Sequence, residues 1–155
     1  MPSRDATLKD ALFIAELDEE LLSNYNGPHA LSALKMMAYP DTVSLIYTDE
    51  ENSPAGFAII QWKKDHSYIT QIAVKPSHQN RGIGPVLLEE CERRVFELGG
   101  PHMLELHVAE DNARARKVFE TFGFEYTGVA PVLFKNGVKP LRMLKFAKAL
   151  LQSKA

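Results

Sequence analysis

The stretch that decides the fold is residues 69–98, ITQIAVKPSHQNRGIGPVLLEECERRVFEL. Its first part is rich in β-branched residues, as strands are, whereas from Ile83 apolar residues recur every three or four positions, as on one helix face. Gly82 and Gly84 stand at the change of period, beside Arg81. A helix start has unpaired backbone N–H groups, and glycines let a bulky anion approach them. The stretch therefore predicts either a phosphate or diphosphate site or simply a tight turn.

The periodicity on both sides of this turn predicts the remaining elements. The predicted helices cover 6–24, 29–38, 83–98 and about 115–122, and the predicted strands cover 42–48, 55–62, 67–74, 102–108, 124–134 and 140–147, with a short strand near Ser3 as an option. Asn136-Gly137 is predicted as the turn of the closing strand pair. This order predicts one mixed α/β domain over residues 1–155.

Composition limits the class of protein. The 155 residues are 45% apolar and 25% charged, which suits one compact domain. No apolar run approaches the roughly 20 residues that span a bilayer, and the first ten residues do not resemble a secretory signal. The single cysteine, Cys91, excludes an internal disulfide framework and favours a cytoplasmic protein. A pI of about 6.2 without a dense basic stripe argues against a nucleic-acid partner.

The charge is unevenly distributed along the chain. Residues 1–51 hold 3 Lys/Arg against 10 Asp/Glu, whereas the remainder holds 15 against 10. An ordinary solvated surface can produce such an asymmetry. It also suits an acidic lobe for a cationic substrate beside a basic lobe for an anionic cofactor.

Two signatures give the chain a family resemblance. The turn fits neither the P-loop nor the dinucleotide fingerprint, because no Lys-Ser/Thr follows it and position 87 is leucine. Gln79, Gly82 and Gly84, after the strand-like IAVKP, resemble motif A of the GNAT superfamily of acyl-CoA-dependent N-acyltransferases. DNARARKVFETFGF at 111–124 is similar to the second signature of that superfamily, one helix and one strand later.

The resemblance implies a fold and a cofactor. The fold is a central, mostly antiparallel sheet flanked by about four helices, and the cofactor is acetyl-CoA, with no metal. Its diphosphate would lie on the backbone of the glycine-rich turn and its pantetheine arm beside the preceding strand. The implied cofactor-binding residues are Ile72, Ala73, Val74, Gln79, Asn80, Arg81, Gly82, Ile83, Gly84, Asn112 and Ala115, with Arg114 or Lys117 near the adenosine phosphate.

The catalytic positions depart from one branch of the superfamily. In the ribosomal-protein N-terminal acetyltransferases, which this chain resembles, a Glu five residues before the motif Asn is the base and a Tyr seven residues after it is the acid. Those places hold His107 and Phe119 here. His107 can serve as a base, whereas Phe119 has no proton to donate and is predicted to pack in the core. Tyr126, Tyr68, water or the ammonium of the substrate is then expected to supply the proton.

The sequence therefore predicts an N-acetyltransferase that acts directly in a ternary complex. The acceptor is expected to be a primary amine on a small molecule or peptide: a peptide N-terminus, a lysine, a polyamine or an amine metabolite. The alternative is a CoA-binding sensor or regulatory module with little catalysis, which the missing tyrosine favours. Exposed strand edges are compatible with a homodimer.

Overall fold

The computed structural model describes residues 3–26, 37–131 and 137–148. The helices are α1 (Ala11–Asn26), α2 (Ile83–Leu98) and α3 (Ala113–Phe122); the strands are β1 (Ser3–Asp5), β2 (Thr42–Thr48), β3 (Pro54–Trp62), β4 (Ser67–Val74), β5 (Met103–Ala109), β6 (Glu125–Val129) and β7 (Pro140–Phe146). The predicted order is confirmed over these residues, including the short first strand. The predicted helix at 29–38 lies mostly outside the described residues, as does Asn136 of the predicted closing turn.

All seven strands belong to one sheet, in the order β1-β2-β3-β4-β5-β7-β6. Each neighbouring pair is antiparallel except β4 and β5. That parallel pair is short, because only Ser67 with Leu104 and Tyr68 with Glu105 are in register. Beyond these two pairs the strands are no longer paired with each other. The centre of the sheet therefore opens between the second half of β4 and the second half of β5.

The two faces of the sheet are covered by different helices. Helices α2 and α3 pack on one face over a core that includes Leu87, Leu104 and Leu106. Helix α1 packs on the other face, where Ile14 and Phe57 are fully buried. Among the residues that the structure describes, no helix is long and apolar enough to cross a membrane.

The buried face of α1 differs from the predicted one. The sequence places Leu8, Ala11 and Leu12 on the apolar stripe, yet Leu8 and Leu12 are exposed. The helix also starts later than predicted, because residues 8–10 form a 3-10 turn in which Asp10 accepts hydrogen bonds from Thr7 N–H and Arg4. Ala11 and Ala15 of the predicted stripe are buried, and Ile14, which was not assigned to it, is fully buried.

A buried carboxyl group joins α1 to the middle of β4. Asp18 is fully buried, and its Oδ2 accepts a hydrogen bond from Gln71 Nε2 at 2.9 Å. Burial, with a smaller contribution from the charge of Glu19, raises the pKa of Asp18 to about 7. The folded protein thus holds a proton on Asp18 that the unfolded chain loses near pH 4.

We expect Asp18→Asn to change how stability depends on pH. In the wild type, the stabilisation from Asp18 protonation is fully present below about pH 4 and is lost as the pH rises to about 7, because the unfolded chain ionises first. The asparagine side chain keeps an oxygen for Gln71 and cannot ionise. At pH 8 the free energy of unfolding of the variant should exceed that of the wild type by about 1–4 kcal/mol. At pH 4 the two free energies of unfolding should be nearly the same. Urea titrations at both values measure this, and an equal gain at both would contradict it.

Candidate active site

A cleft of about 690 Å³ lies where the end of β4, the glycine-rich turn and the N-termini of α2 and α3 meet. It brings together ten of the predicted cofactor-binding residues: Ile72, Ala73, Val74, Gln79, Asn80, Gly82, Ile83, Gly84, Asn112 and Ala115. Arg81 is exposed and is not among the described lining residues. Leu21 of α1 also lines the cleft, which the sequence did not indicate. The two sequence signatures thus form one concave surface.

The N-terminus of α2 provides the donors for an anion. Pro85 has no N–H, and Val86 N donates to Gly82 O at 3.3 Å, so in the first turn of α2 the backbone N–H groups of Ile83 and Gly84 are open to a ligand. Gly82 has φ +79°. A Cβ built on Gly82 meets nothing within 4 Å, and one on Gly84 meets only Val118 Cγ1 at 3.8 Å. The space over the turn is therefore open, and the turn fits a phosphate-bearing ligand.

The side chain of Gln79 supports the backbone of the turn. The resemblance implies that Gln79 binds the cofactor, and the residue does border the cleft. In the structure Gln79 Nε2 donates to Val74 O at 3.0 Å, which ties the turn back to the end of β4. Its side chain still borders the cleft, but its amide supports the backbone there.

A second set of contacts holds the turn from the β2–β3 side. His78 Nε2 lies 3.1 Å from Asp49 Oδ2, and His78 Nδ1 lies 2.8 Å from Ser77 Oγ. Asp49 in turn accepts from the backbone N–H groups of Glu51 and Ser53. The glycine-rich turn is thus positioned by the neighbouring hairpin as well as by β4.

The free edge of β4 is suited to an extended ligand. Lys75 N donates to Ala55 O at 2.8 Å, so Ala73 and Lys75 face β3 in the antiparallel ladder. The peptide groups of Ile72 and Val74 then point to the other side, where β5 has diverged and where Val74 O accepts from Gln79 Nε2. An arm lying in that gap can hydrogen-bond to this edge as an added strand does.

The N-terminus of α3 closes the cleft on its far side. Asn112 Oδ1 caps the helix by accepting from Ala115 N at 3.2 Å, which leaves the NH₂ group of Asn112 as the donor for a ligand. Arg114 is exposed and lines the cleft, whereas Lys117 is not among its described lining residues. Of the two cations considered from the sequence, only Arg114 is thus among the described residues that line the cleft.

A hydrogen-bonded cluster lies on the α1 face at the point where β4 and β5 separate. Leu104, Leu106 and Val108 enter the core under α2 and α3, so Glu105 and His107 face the other way, as the alternation on β5 predicted. His107 Nδ1 lies 3.0 Å from Tyr68 Oη, and His107 Nε2 lies 2.8 Å from Glu105 Oε2. Within the described ranges, no three His, Cys, Asp or Glu side chains could together hold a metal ion.

The partners of His107 assign its tautomer. An ionised Glu105 can only accept, so His107 Nε2 carries the proton and Nδ1 accepts from the hydroxyl of Tyr68. Burial, and secondarily the charge of Glu105, raises the pKa of Tyr68 to about 12, so this hydroxyl keeps its proton at neutral pH. His107 therefore has no free lone pair, because Nδ1 shares the hydroxyl proton of Tyr68. Like Tyr126, neither side chain is among the described lining residues of the cleft.

The other acid candidate from the sequence lies elsewhere. Tyr126 pairs with Met143, whose side chain is in the core under α2 and α3, so Tyr126 is on the opposite face of the sheet from His107. It is more than half exposed and is not among the described lining residues of the cleft. The structure thus brings Tyr68 to His107 and does not bring Tyr126 there.

Two core predictions are confirmed. Phe119 is 7% exposed, lines the cleft and packs edge-on against Phe124, with ring centroids 6.1 Å apart. Cys91 is fully buried, and burial raises the pKa of its thiol to about 12. A thiol in that state is a poor nucleophile, so Cys91 is a core residue and does not carry an acyl group.

Comparison with known sequences adds a family match. The family model described as the acetyltransferase (GNAT) family matches residues 11–124. The chain is 40% identical over 70 residues to the [ribosomal protein bS18]-alanine N-acetyltransferase of Salmonella typhimurium, a match that covers 45% of this chain and 47% of that protein. The chain spans about half the length of such curated relatives.

Solved structures are similar over most of the chain. Ard1 from Thermoplasma volcanium superposes with a TM-score of 0.79 at 19% identity, over 94% of this chain and 97% of that one. Spermidine N-acetyltransferase from Vibrio cholerae, in complex with CoA and spermine, superposes with a TM-score of 0.77 at 21% identity, over 94% of each chain. At these identities the likeness shows the fold, and the mixed α/β fold predicted from the sequence is confirmed.

Proposed function

Because this chain belongs to the acetyltransferase (GNAT) family, we propose that it transfers an acetyl group from acetyl-CoA to a primary amine. The transfer is direct, in a ternary complex of the protein with both substrates. The acceptor is a peptide N-terminus, a lysine, a polyamine or a small amine metabolite. The observation that carries the proposal is the opening between β4 and β5, which has the glycine-rich turn at one end and, at the other, the point where Tyr68 still pairs with Glu105.

Different parts of the cleft bind different parts of acetyl-CoA. The backbone N–H groups of Ile83 and Gly84 bind the diphosphate, the free edge of β4 at Ile72 and Val74 binds the extended arm, and Asn112 holds it from α3. Acetyl-CoA supplies the activated acetyl group as a thioester. Because the arm follows β4 towards its first half, its reactive end is directed to the point where Tyr68 and Glu105 still pair.

Tyr68, His107 and Glu105 handle the protons of the reaction. An amine attacks a thioester only as the neutral base, and the departing thiolate needs a proton. The oxygen of Tyr68 takes one proton from the acceptor while its own proton moves to His107 Nδ1, and Glu105 stabilises the imidazolium that forms. After attack, Tyr68 gives its hydroxyl proton to the departing thiolate as its oxygen takes a second N–H proton from the acceptor nitrogen. This route needs no hydroxyl at position 119, so the phenylalanine there is compatible with catalysis.

A screen for thiol release tests the function. The purified protein with acetyl-CoA should release CoA thiol at a rate that depends on one class of amine, in a panel of N-terminal peptides, lysine peptides, polyamines and small amines. Mass spectrometry of the product should show one added acetyl group on nitrogen. Thiol release that no amine accelerates would contradict the proposal and favour the alternative, a CoA-binding module with little catalysis.

A further inference from the structure

A chain of polar side chains runs from the reaction centre to solvent on the α1 face of the sheet. Glu105 uses both carboxylate oxygens: Oε2 lies 2.8 Å from His107 Nε2, and Oε1 lies 3.8 Å from His66 Nε2. His66 Nδ1 in turn lies 2.8 Å from Asp65 Oδ1. The carboxylate of Glu105 thus lies between the rings of His107 and His66, and the ring of His66 contacts the carboxylate of Asp65 at the surface.

The exposure of these side chains rises steadily outwards. The exposed fractions are 10% for His107, 14% for Glu105, 27% for His66 and 87% for Asp65. A structural ion pair needs neither this gradient nor the alternation of imidazole and carboxylate. A path for protons needs both, because each group must accept on one side and donate on the other, and the last must meet water.

The hydrogen-bond partners fix one end of the path. His107, as above, has its proton on Nε2 and its lone pair towards Tyr68. It is therefore in the tautomer that receives a proton from the buried side and releases one towards Glu105. Asp65 can only accept when ionised, so His66 Nδ1 carries a proton. His66 Nε2, 3.8 Å from Glu105 Oε1, is beyond hydrogen-bond distance, and the path requires this nitrogen to be unprotonated when Glu105 delivers its proton.

The proposed acetyl transfer produces a proton that must leave the site. An acceptor that arrives as an ammonium ion loses two protons in becoming an amide with one hydrogen. One of them converts the departing thiolate into the CoA thiol. The other has no place in the products and is released to solvent.

We propose, on the basis of the function proposed above, that Glu105, His66 and Asp65 conduct this second proton from His107 to solvent. The N–H bond of the acceptor breaks as an O–H bond forms on Tyr68, and the former Tyr68 proton bonds to His107 Nδ1. His107 Nε2 gives its proton to Glu105, whose carboxyl group rotates to offer it to His66 Nε2.

The last steps return the chain to its starting state. His66 releases its Nδ1 proton to Asp65 and water. Each imidazole then carries its proton on the other nitrogen, and the first tautomer returns by proton exchange with water, in which one ring nitrogen loses its proton as the other gains one. No oxidant, reductant or metal takes part, and the net products are the amide, the CoA thiol and one proton in water.

Chemical rescue of His66→Ala tests the path. The measurement is the recovery of kcat by added imidazole, which a purely structural role of His66 would not produce. In weakly buffered solution, kcat should fall roughly ten- to hundred-fold. Added imidazole should restore it in proportion to its concentration, because a diffusing imidazole replaces the missing relay. The dissociation constant for CoA, measured by calorimetry, should stay at the wild-type value and shows that the variant is folded.

His102→Ala is the matched control. His102 is also an exposed histidine beside the sheet, but it packs against the ring of Phe96 and has no part in the chain. Its kcat should equal that of the wild type with or without imidazole. Wild-type kcat in His66→Ala, or a loss that imidazole does not restore, would overturn the path while leaving the transferase function intact. An inactive wild type would overturn the function itself, and the path with it.

Discussion

Replacing His107 with alanine is expected to lower kcat by roughly 10²–10⁴-fold. The variant leaves the hydroxyl of Tyr68 without the acceptor at 3.0 Å, so the hydroxyl can no longer pass on the proton it takes from the amine. Because His107 is not among the described residues that line the cleft, CoA affinity should stay near the wild-type value. Steady-state kinetics and calorimetry on the same protein measure the two effects.

Tyr68→Phe separates this account from one in which His107 acts alone. It removes a single oxygen, and it should lower kcat by a similar factor. The double variant should be little worse than either single variant, because the two groups act as one unit. An unchanged rate in His107→Ala, or additive losses in the double variant, would remove the Tyr68–His107 pair from the mechanism.

The second large effect is expected at the turn, where Gly82→Val should abolish measurable CoA binding. A β-branched residue at φ +79° is strained, and relief of the strain moves the backbone whose N–H groups face the cleft. The space over Gly82 is open in the protein alone, so the clash arises only when a ligand occupies it. Calorimetric titration with CoA measures the loss.

Gly99→Val controls for backbone strain and folding. Gly99 ends the same helix that Gly82 begins, has φ +74°, and also has nothing within 4 Å of a Cβ built on it. It is not among the described lining residues of the cleft. The control should lose stability without losing CoA affinity. If both variants bind CoA as the wild type does, the turn is not the diphosphate site.

Much of the fold was predictable because local periodicity and turn residues act over a few positions. Strands at 42–48 and 67–74 were predicted at their observed bounds, and α2 ends at Gly99 as its sequence indicates. The start of α1 was not predictable, because residues 8–10 form a 3-10 turn in which Asp10 accepts from Arg4, six residues earlier in the chain. The periodicity of apolar residues carries no information about such a contact between side chains.

The part of the site that is formed by backbone groups was predictable from the sequence. Gly82 and Gly84 indicate an open turn at a helix start whatever packs around them, and the structure has that turn. The side-chain cluster needed information that a strand pattern lacks. Alternation on β5 placed Glu105 and His107 on one face, but only the register of β4 against β5 places Tyr68 opposite Glu105. The sequence named both Tyr68 and Tyr126 and had no means of choosing between them.

Assignments not tested by the structure or the comparisons stay predictions from the sequence. These are the roles of the catalytic and cofactor-binding residues, the single domain over residues 1–155, the acceptor class, a cytoplasmic location and a homodimer. The free edge of the sheet at β6, with Tyr126 and Val129 exposed, is the surface on which self-association would be sought.

The measurement that tests the central claim most directly is a crystal structure of the protein with acetyl-CoA. The account predicts the diphosphate within hydrogen-bond distance of the N–H groups of Ile83 and Gly84, the arm along Ile72 and Val74, and the acetyl group near Tyr68. A cleft that stays empty at saturating acetyl-CoA, or a ligand bound with its diphosphate away from the start of α2, would contradict it.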